Sequence, residues 1–256
     1  MIDLTNSPNG IDLTTPMTQL TSGQRINRTA DDAAGAAIVQ ALSAQINSSD
    51  MGYRNANDGI GLLQTADGAL EGYTQGLQRM RELALQAANG TLNASQRQML
   101  QEEFNQIRTE LGRMAESTDF NGRKLLNQDQ QLNIQMGDSQ ATLDLKDVRP
   151  QTLGLDTLDI TNPANALSAL DALDTTLSSI AENRAQLGAQ QNGLVSAATN
   201  LQTQRVNELA ARSQINDADM ARAVADLTRN QVLQQAWLAM QGQANANEKN
   251  VLSLLS

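Results

Sequence analysis

The side chains of this sequence that could do chemistry are carboxylates. Asp31 and Asp32 are adjacent, Asp156 and Asp159 are three residues apart, and Asp217 and Asp219 two apart. Paired carboxylates can serve acid–base catalysis or hold a cation. The settings of these pairs point elsewhere. Asp31-Asp32 stands directly before a long helical pattern, where an acidic side chain caps free N–H groups and meets the positive end of the helix dipole. Neither of the other pairs has the spacing of a calcium loop with its closing Glu, so both read as surface carboxylates. The chain has no His and no Cys. That removes the usual general base, the commonest metal ligand, thiol catalysis and disulfides. There is no phosphate loop, no HExxH and no nucleophile elbow. Gly59-Ile60-Gly61 lacks the third glycine and the preceding strand of a dinucleotide fingerprint. Any activity would rest on carboxylates, Lys or a Ser/Thr nucleophile. The expectation is no enzyme, no cofactor and no metal.

The elements around these residues are long helices. From Ala33 to Ala88 there is no proline, and Leu42, Ile46, Ser49, Tyr53, Ala56, Ile60, Leu63, Asp67, Leu70, Thr74, Leu77 and Ala84 recur at steps of three and four. This is a helical seam that drifts slowly around its axis. Such a helix would run roughly 80 Å and cannot bury its seam alone. The glycines inside it, from Gly52 to Gly76, imply either a break near Gly59–Gly61 or close contact with a neighbour. Asn89-Gly90 ends it, as glycine commonly does after a helix. A second helix spans about Ser95–Glu116 on the seam Leu100, Phe104, Ile107, Leu111, Met114. Asp119-Phe120-Asn121-Gly122 reads as a turn. Leu132, Ile134 and Met136 alternate, then Gly137–Gln140, then Leu143 and Leu145, which predicts a β-hairpin over about 130–146. A third helix covers about Ala164–Ala211, with Leu173, Ile180, Leu187, Leu194 and Leu201 seven apart. Its other seam position turns polar at Arg184, Gln191 and Arg205. A fourth helix, 218–255, is interrupted or frayed near Asn245–Lys249 and ends in Val251-Leu252-Ser253-Leu254-Leu255, an apolar terminus suited to burial against another chain.

Composition agrees. Apolar residues make up 40% of the chain but aromatics only 2%, which suits thin, closely packed helices rather than a ring-filled core. The net charge of −10 argues against nucleic acid and anionic membrane as partners. The first 25 residues lack the basic start and apolar stretch of a secretory signal, and no stretch is apolar enough to span a membrane. Asn89-Gly90-Thr91 and Asn93-Ala94-Ser95 fit the N-glycosylation pattern, as chance matches at this composition. The fold class is mainly α: a long antiparallel coiled-coil-like helical rod with a small β-hairpin. Residues 1–32 form an N-terminal segment, 33–216 the rod, and 217–256 a C-terminal helix. Two functional classes fit it, a self-assembling structural subunit and a binding module on a helical stalk.

The motifs themselves resemble a known family. Ser22-Gly-Gln-Arg-Ile-Asn27, Asp31-Asp-Ala-Ala-Gly35, Arg54-Asn-Ala-Asn-Asp-Gly-Ile60 and Leu77-Gln-Arg-Met-Arg-Glu-Leu-Ala84 resemble the N-terminal half of bacterial flagellin. Phe120-Asn-Gly122, Gln151-Thr-Leu-Gly-Leu-Asp156, Glu182-Asn-Arg-Ala-Gln-Leu-Gly188, Ala211–Asp219 and Val251–Leu255 resemble its C-terminal half. The likeness covers residues 17–256 in family order. It implies a helical filament for motility, outside the cell, with both chain ends contributing helices. It implies export without a cleaved signal, and as partners the export machinery and its chaperone, the filament cap and junction proteins, and other copies of the chain. Outer domains between the two halves are absent or vestigial. Residues 1–16, broken by Pro8 and Pro16, depart from the family's further amphipathic helix, so the filament core should lean on the C-terminal helix. The resemblance places subunit assembly on Leu233, Trp237, Leu238, Val251, Leu252, Leu254 and Leu255. It makes Arg79, Leu83 and Glu103 candidate contacts for the flagellin-sensing Toll-like receptor of animal hosts. Two other members of this lineage fit the same heptads: a surface homologue that binds polysaccharide, and a hook–filament junction protein.

Overall fold

A computed structural model describes the backbone of residues 11–254 and the side chains through Asn247. The helices are α1 (Thr14–Ser22), α2 (Ala33–Ala87), α3 (Ala94–Ser117), α4 (Pro163–Asn216) and α5 (Met220–Leu254). Between α3 and α4 lie β1 (Asp119–Phe120), β2 (Arg123–Lys124), β3 (Gln130–Met136), β4 (Ser139–Leu145) and a 3₁₀ turn at Leu155–Thr157. The fold is mainly helical with small antiparallel hairpins, as the periodicities predict. The chain forms two compact units. One is Ser48–Gln204; the other joins the chain ends, up to Asn47 and from Arg205.

In the Ser48–Gln204 unit, α2 runs antiparallel to both α3 and α4. Rising numbers on α2 meet falling numbers opposite: Gly59 lies against Leu194, Asp67 pairs with Arg184 and Arg81 with Asp174. Against α3, Gly72 meets Met114 and Gly76 meets Leu111. The heptad leucines of α4 are buried as the spacing predicts, with Leu173 and Ile180 fully enclosed. On α2 only half of the expected seam is right. Ser49, Ala56, Leu63, Leu70, Leu77 and Ala84 are buried, but the alternate positions are Gly52, Gly59, Ala66, Tyr73, Met80 and Ala87, one residue before or beyond the expected ones. Tyr53 is exposed and Asp67 faces Arg184. Gly52 lets the hairpin backbone come close and Gly59 admits the Leu194 side chain, so these two glycines mark contact, and α2 continues unbroken through Gly59–Gly61.

The hairpin β3–β4 pairs Gln130 with Leu145 through Met136 with Ser139, and Gly137-Asp138 alone turns the chain, tighter than the expected four-residue loop. Gly137 has φ +63, which suits the first central position of a two-residue turn. Its backbone rests on α2. A Cβ on Gly52 would stand 2.4 Å from the Gly137 nitrogen, and the Asn55 side chain donates to the Gln135 carbonyl at 2.8 Å. Gly52→Ala should therefore destabilise this unit by about 1–3 kcal/mol, because backbone rather than a flexible side chain must move. Gly68→Ala, with nothing within 4 Å, should stabilise it by about 1 kcal/mol through helix propensity. Urea denaturation of the two variants reads the opposite signs, and equal midpoints would refute the close contact.

The predicted turn at Asn121-Gly122 is itself a small hairpin joining β1 to β2, with both residues at positive φ (51 and 78) as an Asn-Gly turn requires. Helix α3 opens on a reciprocal capping box between Asn93 and Gln96. At the end of α2 the structure differs from expectation. Gly90 has no left-handed conformation; instead the Arg97 side chain donates to the carbonyls of Ala87 (2.9 Å) and Asn89 (3.1 Å). A guanidinium on the last carbonyls meets the negative end of the helix dipole and replaces the glycine cap.

The proline-broken start of the chain predicts at most a short helix around Met17–Leu20; in the unit of chain ends, α1 runs longer, over Thr14–Ser22. Asp12 accepts hydrogen bonds from the backbone N–H groups of Thr14 and Thr15 and from both threonine hydroxyls. Those bonds, the Thr15 hydroxyl first, hold the Asp12 carboxyl down at about 2. Gly23 ends α1 in the left-handed conformation. The segment beyond it is tied to the end of α4, which runs to Asn216 rather than Ala211. Arg25 donates to the Ile215 carbonyl through Nε (2.9 Å) and Nη2 (2.6 Å), and its backbone N–H donates to Asn216 at 2.6 Å. The backbone of α5 is helical without the interruption expected near Asn245–Lys249.

Candidate functional site

Five of the six paired carboxylates, all but Asp156, serve local structure. The Asp32 carboxylate accepts from the Gly35 N–H at 2.8 Å and caps α2, while Asp31 accepts from the backbone of Asn27 and Arg28 and closes the turn before it. Asp159 accepts from Thr161 and Asn165, which lowers its pKa, chiefly through the Thr161 backbone bond. Asp219 caps α5 through the Arg222 N–H, and Asp217 takes the Ser213 hydroxyl. Among the described residues no three His, Cys, Asp or Glu gather as a metal site.

Two surfaces remain. The first runs across α2 and α3. The Arg79 guanidinium donates to Glu103 at 3.0 and 2.6 Å and to Glu82 at 3.0 Å, which strengthens its hold on the proton. All three side chains are substantially exposed. Leu83, the expected third member of this group, is 1% exposed and belongs to the core. It stands three residues after Met80 and four before Ala87, both enclosed, so the helical period turns it inward. The structure therefore brings together Arg79 and Glu103 and removes Leu83 from the surface.

Periodicity alone did not predict the clamps that hold this frame. Arg81 pairs with Asp174 at 2.6 Å and Arg184 with Asp67 at 2.8 Å, both joining α2 to α4. Arg184 read as a polar lapse in the seam; its spacing from Asp67 across antiparallel helices was the available signal. After β4, Arg149 donates to Asp147 through its backbone N–H and two guanidinium nitrogens, and Thr152 adds a fourth donor. The guanidinium foremost lowers the Asp147 carboxyl to about 2. Tyr73 is fully enclosed; burial, aided by Asp147 and Asp156, pushes its phenol up.

The second surface is α5. Its side chains meet α1, with the Asn230 amide donating to the Asp12 carbonyl at 2.7 Å. Most of its apolar residues stay uncovered: Leu233 is 49% exposed, Leu238 57% and Met240 72%, while Trp237 is half-buried. The side chains of Val251, Leu252 and Leu254, and all of Leu255, lie outside the described residues. No described helix is long and apolar enough to cross a membrane.

Comparisons with known proteins identify the relatives of this chain. The bacterial flagellin N-terminal helical region matches residues 4–131, and the bacterial flagellin C-terminal helical region matches residues 170–255. The chain is 42% identical to the flagellin of Halalkalibacterium halodurans, covering 93% of this chain and 90% of that one. It is 37% identical to the flagellar filament 30.7 kDa core protein of Treponema maltophilum over the same shares. The crystal structure of Bacillus cereus flagellin aligns with TM-score 0.52 at 34% identity, covering 62% of this chain and 94% of that one. A hook-associated protein structure from Vibrio parahaemolyticus shares the fold, with TM-score 0.64 at 15% identity, covering 73% of this chain and all of that one. Two matched regions that together take in both chain ends, with relatives this similar over nearly their whole length, place the chain in the bacterial flagellin family.

Proposed function

We propose that this chain is a structural subunit that polymerises into the bacterial flagellar filament, and that it works by self-assembly rather than catalysis. The observation that carries this is the contrast between its two units. The three-helix unit has a filled core, whereas α5 keeps Leu233, Leu238 and Met240 half exposed or more. An apolar helix face of this kind is stable when another chain covers it. The relative named as a filament core protein fits the same reading. Secretion to the outside of the cell and contacts with the export machinery, its chaperone, and the cap and junction proteins follow from the reading. The test is to add short filament seeds to purified monomer and image the product by electron microscopy. Long filaments are the expected result. A folded monomer that never extends the seeds would overturn the proposal. The polysaccharide-binding and junction-protein readings differ in this outcome, since neither gives a homopolymer.

A second part of the proposal is recognition by the flagellin-sensing Toll-like receptor through Arg79 and Glu103, which meet at the surface of the three-helix unit. With Leu83 enclosed, the contact reduces to this pair and Glu82. An anchoring Arg is worth about 2 kcal/mol or more at a desolvated contact. Arg79→Ala monomer should therefore activate the receptor roughly 30-fold less potently. Unchanged potency would remove this surface from the account.

A further inference from the structure

Three Asn-Gly dipeptides lie among the described residues, in three different settings: Asn89-Gly90, Asn121-Gly122 and Asn192-Gly193. The chemistry open to such a pair is intramolecular. The glycine nitrogen attacks the asparagine Cγ, and a C–N bond forms. The bond from Cγ to Nδ2 breaks, ammonia leaves, and a succinimide remains. Water then opens the ring at either carbonyl, to give aspartate or an isoaspartate whose main chain runs through the former side chain. Water is the sole co-reactant. The step needs a free glycine nitrogen, an activated side-chain carbonyl and room to close the ring.

We propose that Asn89 is a site of this self-modification and that the other two pairs are protected by the fold. Asn89 is exposed in the loop after α2. Its Oδ1 accepts hydrogen bonds from the Thr91 backbone at 3.1 Å and the Thr91 hydroxyl at 3.0 Å. Both donors point at the oxygen on which charge develops when Cγ is attacked, the arrangement of an oxyanion hole. That ring of atoms spans Gly90 and keeps the side chain folded over the following peptide. The carbonyl of the same peptide accepts from Arg97 Nη2 at 3.1 Å and from the Leu92 N–H at 3.3 Å. A cation on that oxygen draws charge from the peptide and makes the Gly90 N–H easier to deprotonate. The Gly90 N–H itself has no acceptor among the described hydrogen bonds, and space around its Cα is open.

The same dipeptide is blocked twice elsewhere. The Gly122 N–H donates to the Asp119 carboxylate at 3.3 Å, which holds its proton, and Asn121 is fixed at positive φ in its hairpin. Gly193 lies deep inside α4, where its N–H is part of the helix ladder. The three pairs are thus controls for one another within one molecule.

The full-length protein is incubated at mildly alkaline pH, digested, and the three peptides followed by mass spectrometry, with isoaspartate detected by enzymatic methyl transfer. Conversion is expected first and predominantly at Asn89, with the other two pairs unchanged until the chain is unfolded in urea. Gly90→Ala, whose Cβ enters open space, should slow conversion several-fold. Thr91→Val, which removes the hydroxyl donor, should slow it as well. Equal rates at all three pairs in the folded protein would overturn the proposal, as would an unmodified Asn89 when the urea-unfolded chain has converted. Gly90→Ala converting at the wild-type rate would do so too, since ring closure is then not the route.

Discussion

A chain lacking residues 240–256 is expected to keep the helical circular-dichroism signal of its three-helix unit and to lose the ability to extend filament seeds. Fixing backbone costs roughly 1–2 kcal/mol per residue, and an isolated helix recovers little of it in water. Helix α5 is 35 residues long, while α1, which packs on it, has nine. The cover that α1 gives leaves Val232, Leu233, Leu238 and Met240 largely in water. Helix α5 should therefore be weakly ordered in the free subunit and become ordered when neighbouring copies supply the missing surface. Many small contacts must form together, so assembly is cooperative and the free subunit stays soluble. Contacts between unlike faces that do not close into a ring propagate a helix of subunits. Because the truncation lies outside Ser48–Gln204, the three-helix unit is its own control. Filaments of normal stability from the truncated chain would refute this account.

The second large effect belongs to the core. Ile180→Asp is expected to unfold the three-helix unit. Ile180 is fully enclosed in the cluster that joins α2, α3, α4 and the hairpin. An Ala there would cost about 2–5 kcal/mol through the lost methyl groups and the cavity. An aspartate adds a buried charge without a partner, a further cost of several kcal/mol, against a total stability of roughly 5–15 kcal/mol for an ordinary domain. Arg184→Ala, one turn along the same helix, is the contrast. Its pairs with Asp67 and Glu71 are partly exposed and worth about 1 kcal/mol or less. Thermal melting should show a small downward shift for Arg184→Ala and no cooperative transition for Ile180→Asp. A normal transition in the latter would mean that the heptad seam of α4 does not face this core.

The sequence was most readable where burial uses large side chains. Leu173, Ile180, Leu187 and Leu194 mark their own face, and so do Phe104 and Leu111. It was least readable where burial uses small ones. Gly52, Gly59 and Ala66 occupy seam positions on α2, but a pattern built on apolar bulk moves to Tyr53 and Ile60, and its step of seven then carries it on to Asp67. The glycines carry the information as space rather than as surface: the backbone of Gly137 fills it at Gly52 and the Leu194 side chain at Gly59, both far away in the chain. Resemblance supplied the group Arg79, Leu83 and Glu103, and only the three-dimensional packing separates the pair that meets solvent from the leucine that does not. The cap on α2 was missed for a similar reason: a long side chain from α3 does what a neighbouring glycine usually does.

The clamps between helices share a chemical choice. Arg79, Arg81 and Arg184 supply the cations that join α2 to α3 and α4. The chain has 18 basic residues, of which three, Lys124, Lys146 and Lys249, are lysines, leaving 15 arginines. A guanidinium keeps its proton at any pH a protein meets. The same choice bears on covalent labelling. Aldehydes and active esters react with primary amines, and Lys124 and Lys146 stand outside these clamps. Dyes or cross-linkers of that kind can therefore decorate Lys124 and Lys146 without touching the ion pairs between the helices.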